Sequence, residues 1–162
     1  MTSYQKEGIR EWIEAYRDRI YLAVHGACVG SDDEFHHIVR EICGSDVRIW
    51  EYPSDIFRLV VTHKDSNHTA PISSGLERNK DIVDTGYHIL LAAPQEMEEE
   101  LRSGTWATVR YARTEEVPVK VFWPKPGGTE EEIVLVSESK KKKKIKKKVK
   151  KKGKFLQKGL FD

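Results

Sequence analysis

The sequence predicts an α/β fold, a mostly parallel sheet covered by helices on both faces, and three observations carry that expectation. Four short runs, residues 20–25, 47–52, 88–93 and 117–123, are largely apolar and mostly rich in β-branched and aromatic side chains, as strands buried on both faces require. Stretches with helical spacing of apolar residues lie between and around them. The length of 162 residues suits one domain and is enough to bury a hydrophobic core.

In chain order, residues 4–19 place Ile9, Trp12, Ile13 and Tyr16 on one side of an amphipathic helix among mostly charged neighbours. After the run 20–25, residues 32–43 carry Phe35, Ile38, Val39 and Ile42 on one helical face. Residues 53–74 mix His, Asp, Asn, Ser, Thr and Pro with little periodicity, which reads as a long irregular segment, either a mobile surface loop or a cover over a site. Residues 76–84 are read as a helix with Leu76, Ile82 and Val83 available for packing. The run 88–93 is read as the central strand, and 105–112 as a short helix. Residues 124–129 make a turn, and 132–136 offer an edge strand.

The net charge of +2 conceals a split. Residues 140–162 hold thirteen of the 28 basic side chains, all lysine, so residues 1–139 carry 15 basic against 25 acidic groups, a net −10. The reading is therefore one domain over 1–139 and a low-complexity tail over 140–162, expected to be disordered by mutual repulsion and scarce apolar residues. An acidic body repels polyanions, so attraction to nucleic acid is expected from the tail. No apolar run approaches the roughly 20 residues of a membrane span, and charges occupy the start of the chain. A cytoplasmic location is expected. Cys28 and Cys43 lie in apolar surroundings and read as buried thiols. The six histidines show no ligand spacing, so neither metal nor cofactor is expected: His36 and His37 are adjacent and diverge on a helix, and His63, His68 and His88 stand apart.

Three segments carry candidate binding chemistry. Ser103-Gly104-Thr105 opens a helix after Ala92-Ala93-Pro94 and an acidic stretch. A helix start leaves N–H groups without partners at the positive end of the dipole, which suits a phosphate. Ordinary N-capping by Ser103 or Thr105 accounts for the same residues. In His25-Gly26-Ala27-Cys28-Val29-Gly30-Ser31-Asp32 the glycines allow a tight strand-to-helix turn and close approach of a ligand, and Asp32 can cap the helix or accept a hydroxyl hydrogen bond. A plain connection explains it equally, since the full G-x-G-x-x-G spacing is missing. Arg78-Asn79 offers a guanidinium fork for phosphate or carboxylate and an amide for base or ribose, or else a solvated pair. No G-x-S-x-G elbow, P-loop or His-Glu-x-x-His motif is present.

Together these segments resemble the SLOG superfamily, which groups LOG-type phosphoribohydrolases, the Rossmann domain of DNA-processing protein A, and small YspA-like proteins of bacteria and phages. The resemblance covers about residues 1–124. It rests on His25-Gly26-x-Cys28-x-Gly30-x-Asp32, on Arg78-Asn79-x-x-Ile82-Val83-Asp84, and on Ala92-Ala93-Pro94 followed by Ser103-Gly104-Thr105-Trp106-Ala107-Thr108-Val109-Arg110-Tyr111-Ala112. It implies a Rossmann-like three-layer sandwich with a nucleotide pocket at the carboxyl ends of the strands. His25, Gly26, Gly30, Ser31, Asp32, Arg78, Asn79, Pro94, Ser103, Gly104, Thr105 and Thr108 are the implied ligand-binding residues, with phosphate on the turn 103–105. Where LOG-type enzymes carry the catalytic Glu of Gly-Thr-x-x-Glu, this chain has Thr108, which cannot serve as that carboxylate. Ala27 stands where related small proteins tend to have an acid.

Relatives also begin with a short strand before a Met-Thr-x-x-Gln helix opening, and here Met1-Thr2-Ser3-Tyr4-Gln5 opens the chain. The first strand is expected to be missing, either because the reading frame is shortened or with 132–136 or a partner chain filling its place. The leading expectation is a binding module that senses or sequesters a nucleotide or nucleotide-derived ligand, with homo-oligomers left open. The alternatives are an N-glycosidase acting on a nucleoside 5′-monophosphate, with Asp32, Asp84 or Glu77 as acid or base, and nucleic-acid binding of the DNA-processing type through the lysine tail.

Overall fold

A computed structural model describes residues 1–86 and 88–127. The edge strand read at 132–136 and the lysine-rich tail at 140–162 lie outside the described residues. Among the described residues the architecture is mixed α/β, with four α-helices and two short parallel sheets. Helix α1, Ser3–Tyr16, opens on a capping box in which Thr2 Oγ1 accepts the Gln5 N–H and the Gln5 side chain accepts the Thr2 N–H. Of the four residues that the periodicity places on one side, Ile9 and Ile13 are buried, Trp12 is half-buried and Tyr16 is exposed, and the last predicted turn is a 3₁₀ turn, Arg17–Arg19.

Strands β1, Leu22–His25, and β2, Arg48–Glu51, pair in parallel across helix α2, Ser31–Cys43, with Ala23 opposite Ile49 and His25 opposite Glu51. A two-residue strand, β3, His68–Thr69, adds to the outer edge of β2. It lies inside the segment the sequence left irregular. That segment is tied down: Val29 N–H donates to Leu59 O and Val61 N–H to Ala27 O, so residues 59–61 run along the loop after β1. Asn67 exchanges hydrogen bonds with Ile49 through its backbone N–H and its side-chain oxygen.

Helix α3, Gly75–Asp84, strand β4, Leu90–Ala92, helix α4, Gly104–Thr114, and strand β5, Val119–Val121, complete the order. β4 and β5 form the second parallel sheet. The run 88–93 is therefore not the central strand among the described residues: β4 pairs with β5 alone, and the middle position belongs to β2. Its apolarity has another cause. Leu91 packs on the core of α1, α2, β1 and β2, whereas Leu90 and Ala92 pack on the core of α4, β5 and Val83 of α3. The same alternation sends Phe122 to the first core and Val119 and Val121 to the second. Two-sided burial, not pairing along both edges, makes the run apolar.

Gln5 joins the two halves. It is buried, and its Nε2 donates to Pro94 O at 2.6 Å and Phe122 O at 2.9 Å. Among the described residues no helix is long and apolar enough to cross a membrane.

Candidate functional site at the carboxyl ends of the strands

The three candidate segments, distant in sequence, meet beyond the carboxyl ends of β1 and β4. β1 ends at His25, and the chain turns through Gly26 and Ala27 to Gly30 (φ 99°), the residue before α2. Gly26 is closely packed: a Cβ there would stand 2.9 Å from Asp32 Oδ2 and 3.0 Å from Arg78 Nη1, so the ends of these side chains would have to shift. Ala27, fully buried at φ 52°, adopts a left-handed conformation that costs a non-glycine residue about 1–2 kcal/mol, a strain of the kind that clusters at ligand-binding turns.

Arg78 ties this loop to α3. Its Nη1 donates to Gly26 O at 3.1 Å and to Cys28 Sγ at 2.8 Å, and its Nε and Nη2 hold the side-chain oxygen of Asn79. Cys28 is thus only partly buried and has a polar partner, unlike Cys43, which is buried as expected. The buried Asn79 then donates from Nδ2 to Gly104 O at 3.4 Å, reaching the start of α4. Asp32 Oδ2 accepts the Cys28 N–H at 3.0 Å. Burial pushes its carboxyl upward against the pull of that N–H and of Arg78.

At α4, Ser103 is the N-cap and its Oγ accepts the Trp106 N–H at 3.5 Å. Gly104 and Thr105 occupy the first turn, where helix geometry supplies no carbonyl for their N–H groups. Space beside Gly104 is open, with no atom within 4 Å of an added Cβ apart from its chain neighbours and its own helix backbone. Thr108 Oγ1 donates back to Gly104 O at 3.1 Å, so this hydroxyl is spent on its own helix. Ser31 lies exposed at the start of α2, and Pro94 is buried with its carbonyl held by Gln5. A shallow hollow of 190 Å³, lined by Arg17, Asp18, Ile20, Cys43, Asp46 and Val47, sits at the opposite, amino-terminal ends of β1 and β2.

Beneath the loop lies a cluster that chain spacing did not reveal. The register that sets His25 opposite Glu51 puts both on one sheet face, α2 lays His36 over them, and the strapped segment 59–67 brings in His63. His25, His36 and Glu51 are buried, and the His63 side chain is 10% exposed. His25 Nδ1 accepts the Ala27 N–H at 3.1 Å, which leaves its proton on Nε2, 3.1 Å from His36 Nδ1. His36 Nε2 meets Asp65 Oδ1 at 3.1 Å, and His63 spans Glu51 Oε1 (2.7 Å) and Asp33 Oδ1 (2.9 Å). Burial, then His36 and His63, push the His25 pKa down to about 3. Burial and His63 lower His36 as well. Burial also works to lower His63, but the hydrogen bonds to Glu51 and Asp33 outweigh it and hold its pKa above the ordinary value. The readable signal is the polar residue that ends each of the two strands, His25 after Leu-Ala-Val and Glu51 after Ile-Trp.

Comparison of the chain with protein-family models, with curated proteins and with solved structures finds no match.

Proposed function

We propose that the protein binds the phosphate of a nucleotide or nucleotide-derived ligand at the carboxyl ends of β1 and β4, as a sensor or sequestering protein. One observation carries this reading. Arg78 and Asn79 bridge the 26–32 turn to the first turn of α4, so a guanidinium, a glycine turn and a helix amino terminus face one region. An anion there gains the nearby positive charge of Arg78, whose Nε, Nη1 and Nη2 already donate to Asn79, Gly26 and Cys28, and the favourable end of a helix dipole. The alternation of β4 and β5 side chains between two cores supports the finer expectation of a Rossmann-like three-layer sandwich of the SLOG kind, in which ligands lie at the strand ends. Binding is favoured over glycosidic hydrolysis because Thr108 carries no carboxylate and its hydroxyl is committed to Gly104 O.

A first test denatures the purified protein and identifies any released small molecule by mass spectrometry, followed by titration with a nucleotide panel and chromatography for free base. A bound nucleotide with no base released is the expected result. Base release at catalytic rates would favour the hydrolase alternative.

A further inference from the structure

The His25, His36, Glu51 and His63 cluster lies beneath the 26–32 turn, shares only His25 with the residues assigned to the nucleotide site, and is built from four segments: β1, α2, β2 and the strap 59–67. We propose that it is a structural site for a divalent transition metal, zinc before others, ligated by His25 Nε2, His36 Nδ1, Glu51 Oε1 and His63 Nδ1. The donor atoms lie within 4.8 Å of one another, and the separations are 3.1 Å (His25 to His36), 3.7 Å (His25 to Glu51), 3.8 Å (His36 to Glu51) and 2.7 Å (His63 to Glu51). A tetrahedron with zinc bonds near 2.0–2.1 Å has edges of about 3.3 Å, so these separations bracket it.

Independent support comes from the outer shell. Asp65 holds His36 Nε2 and Asp33 holds His63 Nε2, which turns both Nδ1 atoms inward in the carboxylate–histidine arrangement that metal sites use. The His63 backbone N–H is shared between Glu51 Oε1 at 3.1 Å and Oε2 at 3.3 Å, and Thr69 Oγ1 donates to Oε2. Imidazole and carboxylate donors suit zinc, and the near-complete burial matches a closed structural site. Metal entry spreads the His36 and His63 rings, which lie stacked 3.7 Å apart. The proton on His63 Nδ1 leaves to solvent. The His25 proton moves from Nε2 to Nδ1, and the Ala27 N–H releases that ring. The gain is one ion pinning the strap 59–67 to both strands and α2.

The test strips the full-length protein with a chelator and titrates it with Co²⁺. The site predicts the intense visible bands of four-coordinate cobalt, displaced by Zn²⁺, and a melting temperature that rises with zinc. His63→Asn should abolish the bands. Asp65→Asn, at a largely exposed carboxyl, should weaken metal affinity roughly 10- to 100-fold while the metal-free protein still melts cooperatively. His37→Ala should change nothing. Only weak, six-coordinate cobalt absorption at saturation would overturn the proposal. So would loss of binding in His37→Ala, which would place the ion on the exposed set of Asp33, His37 and His63 instead.

Discussion

Gly26 and Gly104 do opposite things at the candidate site. Gly26 has no room for a side chain, because Asp32 and Arg78 close on it to 2.9 and 3.0 Å. Gly26→Ala should therefore displace the guanidinium and lower stability by about 1–3 kcal/mol in urea denaturation. An unchanged midpoint would show that Arg78 is not pinned there. Gly104 has open space, so Gly104→Ala should leave the melting temperature unchanged or slightly higher, since alanine is the better helix former. The added methyl covers the face where the first-turn N–H groups emerge, and nucleotide affinity should fall at least tenfold by calorimetry. Both glycines were visible in the sequence as turn residues. Which one needs emptiness and which one offers it depended on Asp32 and Arg78, residues 6 and 52 positions away from Gly26.

Among the elements, α1 has a task its amphipathic pattern did not announce. The apolar stripe of Ile9 and Ile13 was legible, but Gln5 sits on the buried side of the first turn and holds the carbonyls of Pro94 and Phe122. Gln5→Leu keeps the volume and removes both donors together with the capping-box acceptor of the Thr2 N–H, leaving two buried acceptors unpaired. Each costs about 1–3 kcal/mol, so a loss on the order of 2–4 kcal/mol is expected, read by thermal or urea unfolding. A loss under roughly 0.5 kcal/mol would mean that the two halves are joined by apolar packing alone. The helices and the four longer strands were readable because each repeats its signal over several residues. β3 was not, since two residues held by Asn67 and one neighbouring strand leave no period to detect. The histidine cluster escaped for a related reason: strand register and a strap fixed by Val29 and Val61 decide it, and neither is written in local spacing.

For the whole molecule, charge separates two kinds of binding. Residues 1–139 carry a net −10, and the thirteen lysines at 140–158 with Asp162 bring the chain to +2. Deleting 140–162 should abolish any salt-sensitive attraction to nucleic acid, measured by fluorescence anisotropy at two ionic strengths, yet leave small-nucleotide affinity within about twofold, since phosphate contacts with a polyanion come from lysine and arginine. The site at the strand ends is made from residues 25–32, 78–79 and 103–105, none of them near the tail in sequence.

The measurement that bears most directly on the central claim is calorimetric titration of the protein and its Gly104→Ala variant with matched pairs of nucleotide and phosphate-free nucleoside. The account predicts that at least one nucleotide binds, that its nucleoside binds at least tenfold more weakly, and that the variant loses the difference. Binding of nucleoside and nucleotide with equal affinity, or of no nucleotide in the panel, would contradict a phosphate site at these turns.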